Sequence, residues 1–268
     1  MNKLQFDMTK HLDALKTKCE KHDKSLVKIR GRICCIDCIK EERTAKEQFL
    51  VVKAEQQHIK RRTVDVLAKD SLCQDQSIRQ ATFDNYKVSN QEEEQALIKA
   101  KVLADRYKDK DQNFNTILTG IPGSGKSHLA MSMLKEVNRE FDGSCLFIST
   151  NELMRRIKDS FNNKESKYTE ANMIKLLGSV DLLVLDDLGS ESTFRTNQLS
   201  EATNYIQSVI FGVLEQRTRT IITTNLSSGE IKEIYNSKIV SRLYRGLSKD
   251  NVIKFTEKTR DKRIKFDF

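Results

Sequence analysis

The stretch FNTILTGIPGSGKS, Phe114 to Ser127, decides the reading of the fold. Its first half is a short apolar run, and its second half fits the pattern G-x-x-x-x-G-K-[ST], in which a buried strand turns through glycines into the start of a helix. Glycines let the backbone wrap closely around an anion. Successive N–H groups point inward, and the N-terminus of the following helix, expected from Lys126 to about Phe141, adds partial positive charge. Gly120, Ile121, Pro122, Gly123, Ser124, Gly125, Lys126 and Ser127, with His128 beside them, are therefore the candidate nucleotide-binding residues. In this pattern Lys126 neutralises the β- and γ-phosphates of ATP and the Ser127 hydroxyl faces Mg2+. Pro122, the only proline in the chain, stiffens the turn where no donor is needed.

Outward from this loop, apolar runs at Phe114–Thr119, Cys145–Ser149, Val180–Asp186, Thr220–Thr224 and Val252–Phe255 alternate with longer helical patterns. Such alternation predicts an α/β fold with a five-stranded parallel sheet. Between the second and third strands, residues 151–177 have room for two short helices, an insertion on the nucleotide side. The run DLLVLDD, 181–187, ends a buried strand in two acids. Asp186 is placed to hold the magnesium, and Asp187 either polarises the attacking water or caps the segment after it. TTN, 223–225, puts Asn225 at the sheet's C-terminal edge, where an amide orients a water or simply makes a turn. SRLYRG, 241–246, offers Arg242 and Arg245 either to a neighbouring subunit's γ-phosphate or to ordinary surface contacts.

Upstream, residues 1 to about 40 hold four of the six cysteines and are too few to bury an adequate core unaided. Cys19-x-x-His22 and Cys35-x-x-Cys38, separated by twelve residues, make two chelating pairs for one structural, tetrahedral zinc site. Cys34 is an alternative to Cys35 as the ligand. Cys73 and Cys145 read as core residues. From Lys40 to about Ser77 the chain is charged and free of glycine and proline, which reads as a helical linker; Asn90 is an N-cap for a helix reaching Tyr107. The expected division is a zinc-binding domain with its linker, 1–75, and an ATPase domain, 76–268.

Composition narrows the setting. With 38% hydrophobic and 32% charged residues, and no apolar run near the roughly 20 residues that cross a membrane, a soluble chain without a membrane partner is expected. The N-terminus has no export signal, so the location expected is cytoplasmic, that of a bacterium or of an infected host. The net charge of +9 sits at the ends: residues 1–80 carry 18 Lys and Arg against 12 Asp and Glu, and residues 232–268 carry 11 against 5. Polyanionic phosphate backbones suit such flanks.

The ordered set GIPGSGKS, LVLDDLG, TTN and SRL, with TFDNY upstream, resembles the AAA+ ATPases of the DnaC/DnaI helicase-loader group and their relative IstB, over residues 81–257. DDLG at 186–189 and FISTNELM at 147–154 narrow the resemblance, and the cysteine/histidine module looks like the helicase-binding domain of DnaI-type loaders, particularly those of phages. The resemblance implies an oligomeric ATPase that self-associates through its ATPase domain and delivers a replicative hexameric helicase onto single-stranded DNA. Lys126, Ser127 and Asp186 would then hold Mg-ATP, Asp187 and Asn225 would serve hydrolysis, and Arg242 would act on a neighbour's ATP. The 151–177 insertion, with Arg155, Arg156 and its lysines, corresponds to the element that touches single strands. The chain is expected to lack the helical lid of many AAA+ proteins. A transposition helper that coats duplex DNA, and an adaptor in which ATP is only structural, are the competing expectations.

Overall fold

The computed structural model describes residues 14–140, 143–190, 204–259 and 261–262. The first thirteen residues, which carry most of the stretch read for an export signal, lie outside them. The chain divides into two compact units, 1–60 and 61–268.

In the first unit, β1 (Ala14–Lys18), β2 (Ser25–Ile29) and β3 (Arg32–Cys34) form an antiparallel sheet in that order. Arg30 and Gly31, both at positive φ (49° and 81°), make the two-residue turn between β2 and β3, the geometry that matches the twist of a hairpin. Sequence reading assigned no strands here because the apolar runs are too short. The helix α1 follows from Ile36 to Arg62 and buries none of its side chains.

In the second unit, α2 (Asp65–Asp70) and α3 (Gln76–Arg79) lead to α4 (Gln91–Tyr107). Asn90 caps α4 as expected, its side chain accepting from the Glu93 N–H at 2.9 Å. The strands are β4 (Thr116–Thr119), β5 (Cys145–Ser149), β6 (Leu182–Leu188), β7 (Thr220–Thr224) and β8 (Val252–Lys254). They lie parallel in the order β5-β6-β7-β4-β8, as the alternating pattern implies. Helix α5 (Lys126–Glu140) follows β4, α6 (Thr150–Asp159) and α7 (Glu170–Ser179) fill the insertion, and α8 (Asn204–Glu215), α9 (Ser228–Ile234) and α10 (Ser237–Leu243) follow among the described residues.

Period-two alternation sorts the strand residues into two cores. Leu183, Leu185 and Ile222 pack with α6, α7 and α8 on one face, whereas Leu182, Val184 and Ile221 pack with Leu103, Leu129 and Met133 on the other. Cys73 and Cys145 are buried, as expected. Leu72 pairs with Ile148, so the linker covers the edge of β5: the Leu72 N–H donates to Phe147 O and the Ser149 N–H to Leu72 O, both at 2.9 Å. No helix among the described residues is long and apolar enough to cross a membrane.

Candidate functional site

The loop 120–125 leaves β4 at its C-terminal end and delivers Lys126 as the first residue of α5. Gly123 and Gly125 hold φ at 74° and 93°, a region side-chain-bearing residues avoid. A Cβ on Gly125 would stand 2.9 Å from the Tyr86 ring, and one on Gly123 would overlap the Asp261 carboxylate, 1.8 Å from Oδ1. The Lys126 side chain is buried and lies back on its own loop, donating to Gly120 O at 2.9 Å and Ile121 O at 2.7 Å. The ammonium thus rests against two carbonyls of its own loop, and the Tyr86 hydroxyl beside Gly125 is buried with no hydrogen-bond partner. This cradle fits the phosphates of a nucleotide.

The acids arrive from the neighbouring strand. Leu185 pairs with Ile222 but Leu188 pairs with Thr224, so β6 spends one residue more than β7 over this interval. That bulge, with Asp187 at φ 58°, turns two consecutive acids toward β7, where an unbroken strand would point them to opposite faces. Thr223 ties both: its hydroxyl donates to Asp186 Oδ1 at 2.6 Å and accepts from the Asp187 N–H at 2.8 Å. Ser127 hydrogen-bonds Asp186 as well, and burial holds the Asp186 carboxyl above the usual carboxylate range. Asn225, two residues beyond Thr223 and just past the end of β7, donates to Asp187 Oδ1 at 3.1 Å. Ser127, Asp186, Asp187 and Asn225, chosen from separate segments of sequence, thus converge. The Ser127 hydroxyl and the Asp186 carboxylate supply the oxygen donors that suit Mg2+. Thr223 was missed as a site residue. Its signal was the hydroxyl two residues before Asn225, on the same side of β7.

Around the loop, His128 turns away from its concave side: Nε2 donates to Thr82 O at 2.9 Å and the ring meets Tyr86 edge-on at 5.3 Å. Burial lowers its pKa, keeping it neutral. Residues 256–259 and 261–262 lie along the same wall. Thr256 and Thr259 donate to Glu92 at 2.7 and 2.6 Å, the Lys262 N–H donates to Gly123 O at 3.1 Å, and the Lys262 ammonium pairs with the buried Glu93 at 3.0 Å, over the Tyr86 ring. Asp261 is thereby pressed against the phosphate loop. Sequence reading did not select it.

Other candidates are engaged elsewhere. Arg242, on α10, pairs with Glu215, donates to Lys238 O at 3.0 Å and stacks 4.4 Å from the Phe211 ring centre. Arg245 donates to Arg217 O at 2.6 Å. Arg155 and Arg156 both bind Glu152, at 2.6 Å each. Beyond them, in and beside the link between α6 and α7, exposed Phe161 packs edge-on against exposed Tyr205 with ring centres 5.7 Å apart.

In the first unit, Cys19 Sγ, His22 Nδ1, Cys35 Sγ and Cys38 Sγ all lie within 4.8 Å of one another. The separations of 3.7 Å (Cys19 to His22), 3.6 Å (Cys19 to Cys38), 3.6 Å (Cys35 to His22) and 3.3 Å (Cys38 to His22) are edges of a small tetrahedron. With metal–sulfur bonds of about 2.3 Å and metal–nitrogen bonds of about 2.0 Å, they match a tetrahedral Zn2+. His22 Nε2 meets Glu41 at 3.0 Å, the carboxylate that fixes a metal-binding imidazole from behind. Cys34 points away to Val27 O at 3.7 Å, so Cys35 is the cysteine in the cluster.

Phosphate loop, paired acids at a strand end and a five-stranded parallel sheet in this order define a P-loop ATPase of the AAA+ class. Comparison with known proteins agrees: the model of the "IstB-like ATP binding protein" family matches residues 39–246. The chain belongs to that family, within the DnaC/IstB branch of AAA+ ATPases. It is 28% identical over 167 residues to "Replicative helicase loader DnaC" of Buchnera aphidicola subsp. Acyrthosiphon pisum (strain APS). That match covers 62% of this chain and 64% of the relative, so the chain spans less than two thirds of the curated relative's length. Among solved structures, a DnaC helicase loader superposes with a TM-score of 0.54 at 22% identity, covering 67% of this chain and 99% of that one. DnaI superposes with a TM-score of 0.54 at 21% identity, covering 69% and 95%.

Proposed function

We propose that the chain is an ATP-dependent loader that places a replicative hexameric DNA helicase onto single-stranded DNA. The observation that carries this reading is the joining of a zinc-fitting module, residues 14–60, to an AAA+ unit similar to helicase loaders. On this reading the first 75 residues bind zinc and grip the helicase, and residues 76–268 bind ATP and other copies of the chain, in the cytoplasm.

Lys126 holds the β- and γ-phosphates, and Ser127 and Asp186 hold the magnesium, whose charge stabilises the transferred phosphoryl group when bound. Asp187 takes the proton of the attacking water, and its hydrogen bond to Asn225 fixes the direction of its carboxylate. Arg242 serves a neighbour's ATP by leaving Glu215, so its contribution is available only on assembly. Phe161 and Tyr205 give stacking surfaces for unpaired bases, and Lys158, Lys164 and Lys167, near Phe161 in sequence, supply charge for phosphates.

The test is a loading assay on a circular single strand with purified helicase. The reading predicts ATP-dependent loading that Lys126→Ala abolishes; failure of the wild-type chain both to bind and to load the helicase refutes it. A second reading, a transposition helper on duplex DNA, is favoured by the family match. It predicts ATP-dependent filaments on duplex DNA instead.

A further inference from the structure

Helix α1 runs 27 residues from Ile36 to Arg62 with no buried side chain, and Phe49, Val52 and Ile59 are 66%, 50% and 57% exposed. A helix that buries nothing is weakly supported in water, because helical stability comes mainly from packing an apolar face. Five of its residues fall on one heptad seam, while Leu50 and Val51, 54% and 55% exposed, lie off it. Ala45, Phe49, Val52, Gln56 and Ile59 succeed one another at spacings of four and three, the seam of a two-stranded coiled coil, with Phe49 and Gln56 at a and Ala45, Val52 and Ile59 at d.

The flanks of that seam specify what covers it. Alongside the seam the e positions are Lys46, Lys53 and Lys60, after Ile39, and the g positions are Glu41, Gln48 and Glu55, before Arg62 at the helix end. In a parallel pair each g residue faces the e residue five places on in the other strand. Two copies of this helix then set Glu55 against Lys60 and Gln48 against Lys53 on both sides of the seam. Glu41 is occupied by His22 and Lys21, so the first heptad contributes less. An antiparallel pair would set lysine against lysine and glutamate against glutamate. Gln56, polar in the middle of the seam, penalises slipped registers.

We infer that α1 pairs in parallel and in register with α1 of a second copy of this chain. The seam is short and holds only one aromatic and two branched side chains, so pairing is weak in isolation and strengthens when other contacts raise the local concentration. Because Cys38 lies in the first turn of α1, such pairing brings two metal-binding clusters to one end of the pair.

Disulfide trapping of the purified, zinc-loaded full chain tests this, with wild type setting the background from its native cysteines. In a parallel register the two copies of position 52 come within the roughly 4.4–6.8 Å Cα separation a disulfide spans, whereas position 50 faces outward. Val52→Cys is expected to give a crosslinked dimer several-fold above background, and Leu50→Cys none. Adding Lys60→Glu to Val52→Cys should cut the yield several-fold, and adding Glu55→Lys as well should restore it. Far-ultraviolet circular dichroism checks that each variant keeps its helix content. Equal trapping at positions 50 and 52, no trapping at either, or indifference to the charge reversals overturns the inference. So does trapping of Val52→Cys only onto an added helicase.

Discussion

The two units differ in what holds them. Among the described residues, unit 1–60 buries two apolar side chains, Val27 and Cys35, whereas unit 61–268 packs both faces of a sheet. Full burial of a valine is worth about 1.5–3 kcal/mol, while ordering each residue costs about 1–2 kcal/mol, so the first unit's core cannot support its hairpins. A structural zinc contributes about 10–16 kcal/mol in peptides of this kind. On the proposed zinc reading, the first unit's fold is conditional on a metal. The second unit stands on its core, and its ligand acts on a prepared site.

The sharpest way to break that contrast is to remove one ligand. Cys38→Ala, or a strong chelator, should unfold residues 14–35 outright, seen as new proteolytic cuts N-terminal to α1. The main thermal transition, that of the sheet core, should move by less than about 2 °C, since distant sites act independently. A large drop in that transition would show the units to be one folding system. Next in size, Lys126→Ala should leave the fold intact but weaken ATP binding about 100-fold, the loss of roughly 3 kcal/mol of charged hydrogen bonding, and so abolish the upward shift in melting temperature that ATP gives the wild type. Asp187→Asn should keep ATP affinity within about threefold while lowering turnover roughly 100- to 1,000-fold. If turnover survives, Asp187 is a cap and the base lies elsewhere. Smaller still, Asp261→Asn removes a negative charge pressed against Gly123, beside which the nucleotide's phosphates must lie. It should tighten ATP binding about three- to tenfold, measured by titration with a fluorescent nucleotide, and less at high salt.

The same contrast governs what the sequence made legible. The strands β4 to β7 were readable because burial on both faces forces continuous apolar runs such as Cys145–Ser149 and Thr220–Thr224, and the edge strand β8, only partly buried, by its short apolar run. The first unit's strands were not, since so small a unit buries too little to impose an apolar pattern; only the cluster of Cys19, His22, Cys35 and Cys38 shows. At the nucleotide site, residues in a fixed local motif were legible. The β6 bulge that brings Asp186 and Asp187 to one side, and Thr223 that ties them, depend on register between strands distant in sequence. Asp261 reaches Gly123 from 138 positions away, through contacts to Glu92 and Glu93 that no spacing announces.

The bulge also sets the smallest effect and its sign. Burial raises the Asp186 pKa above that of an ordinary carboxyl, near 3.9, with the neighbouring Asp187 charge acting in the same direction and hydrogen bonds from Thr223 and Ser127 opposing. An acid whose pKa is higher folded than unfolded binds a proton more readily when folded. Its contribution to stability therefore rises as pH falls toward the folded pKa, and above that value the buried charge costs stability. Magnesium requires the charged form, so metal affinity moves oppositely. Between pH 7.5 and 5 the melting temperature of Asp186→Asn minus that of wild type, without nucleotide, should shrink, while magnesium-dependent ATP affinity falls more steeply for the wild type than for the variant, whose fall reports the titration of ATP alone. If both differences were independent of pH, Asp186 would be an ordinary carboxylate, and the bulge would present a charge already compensated rather than one waiting for a cation.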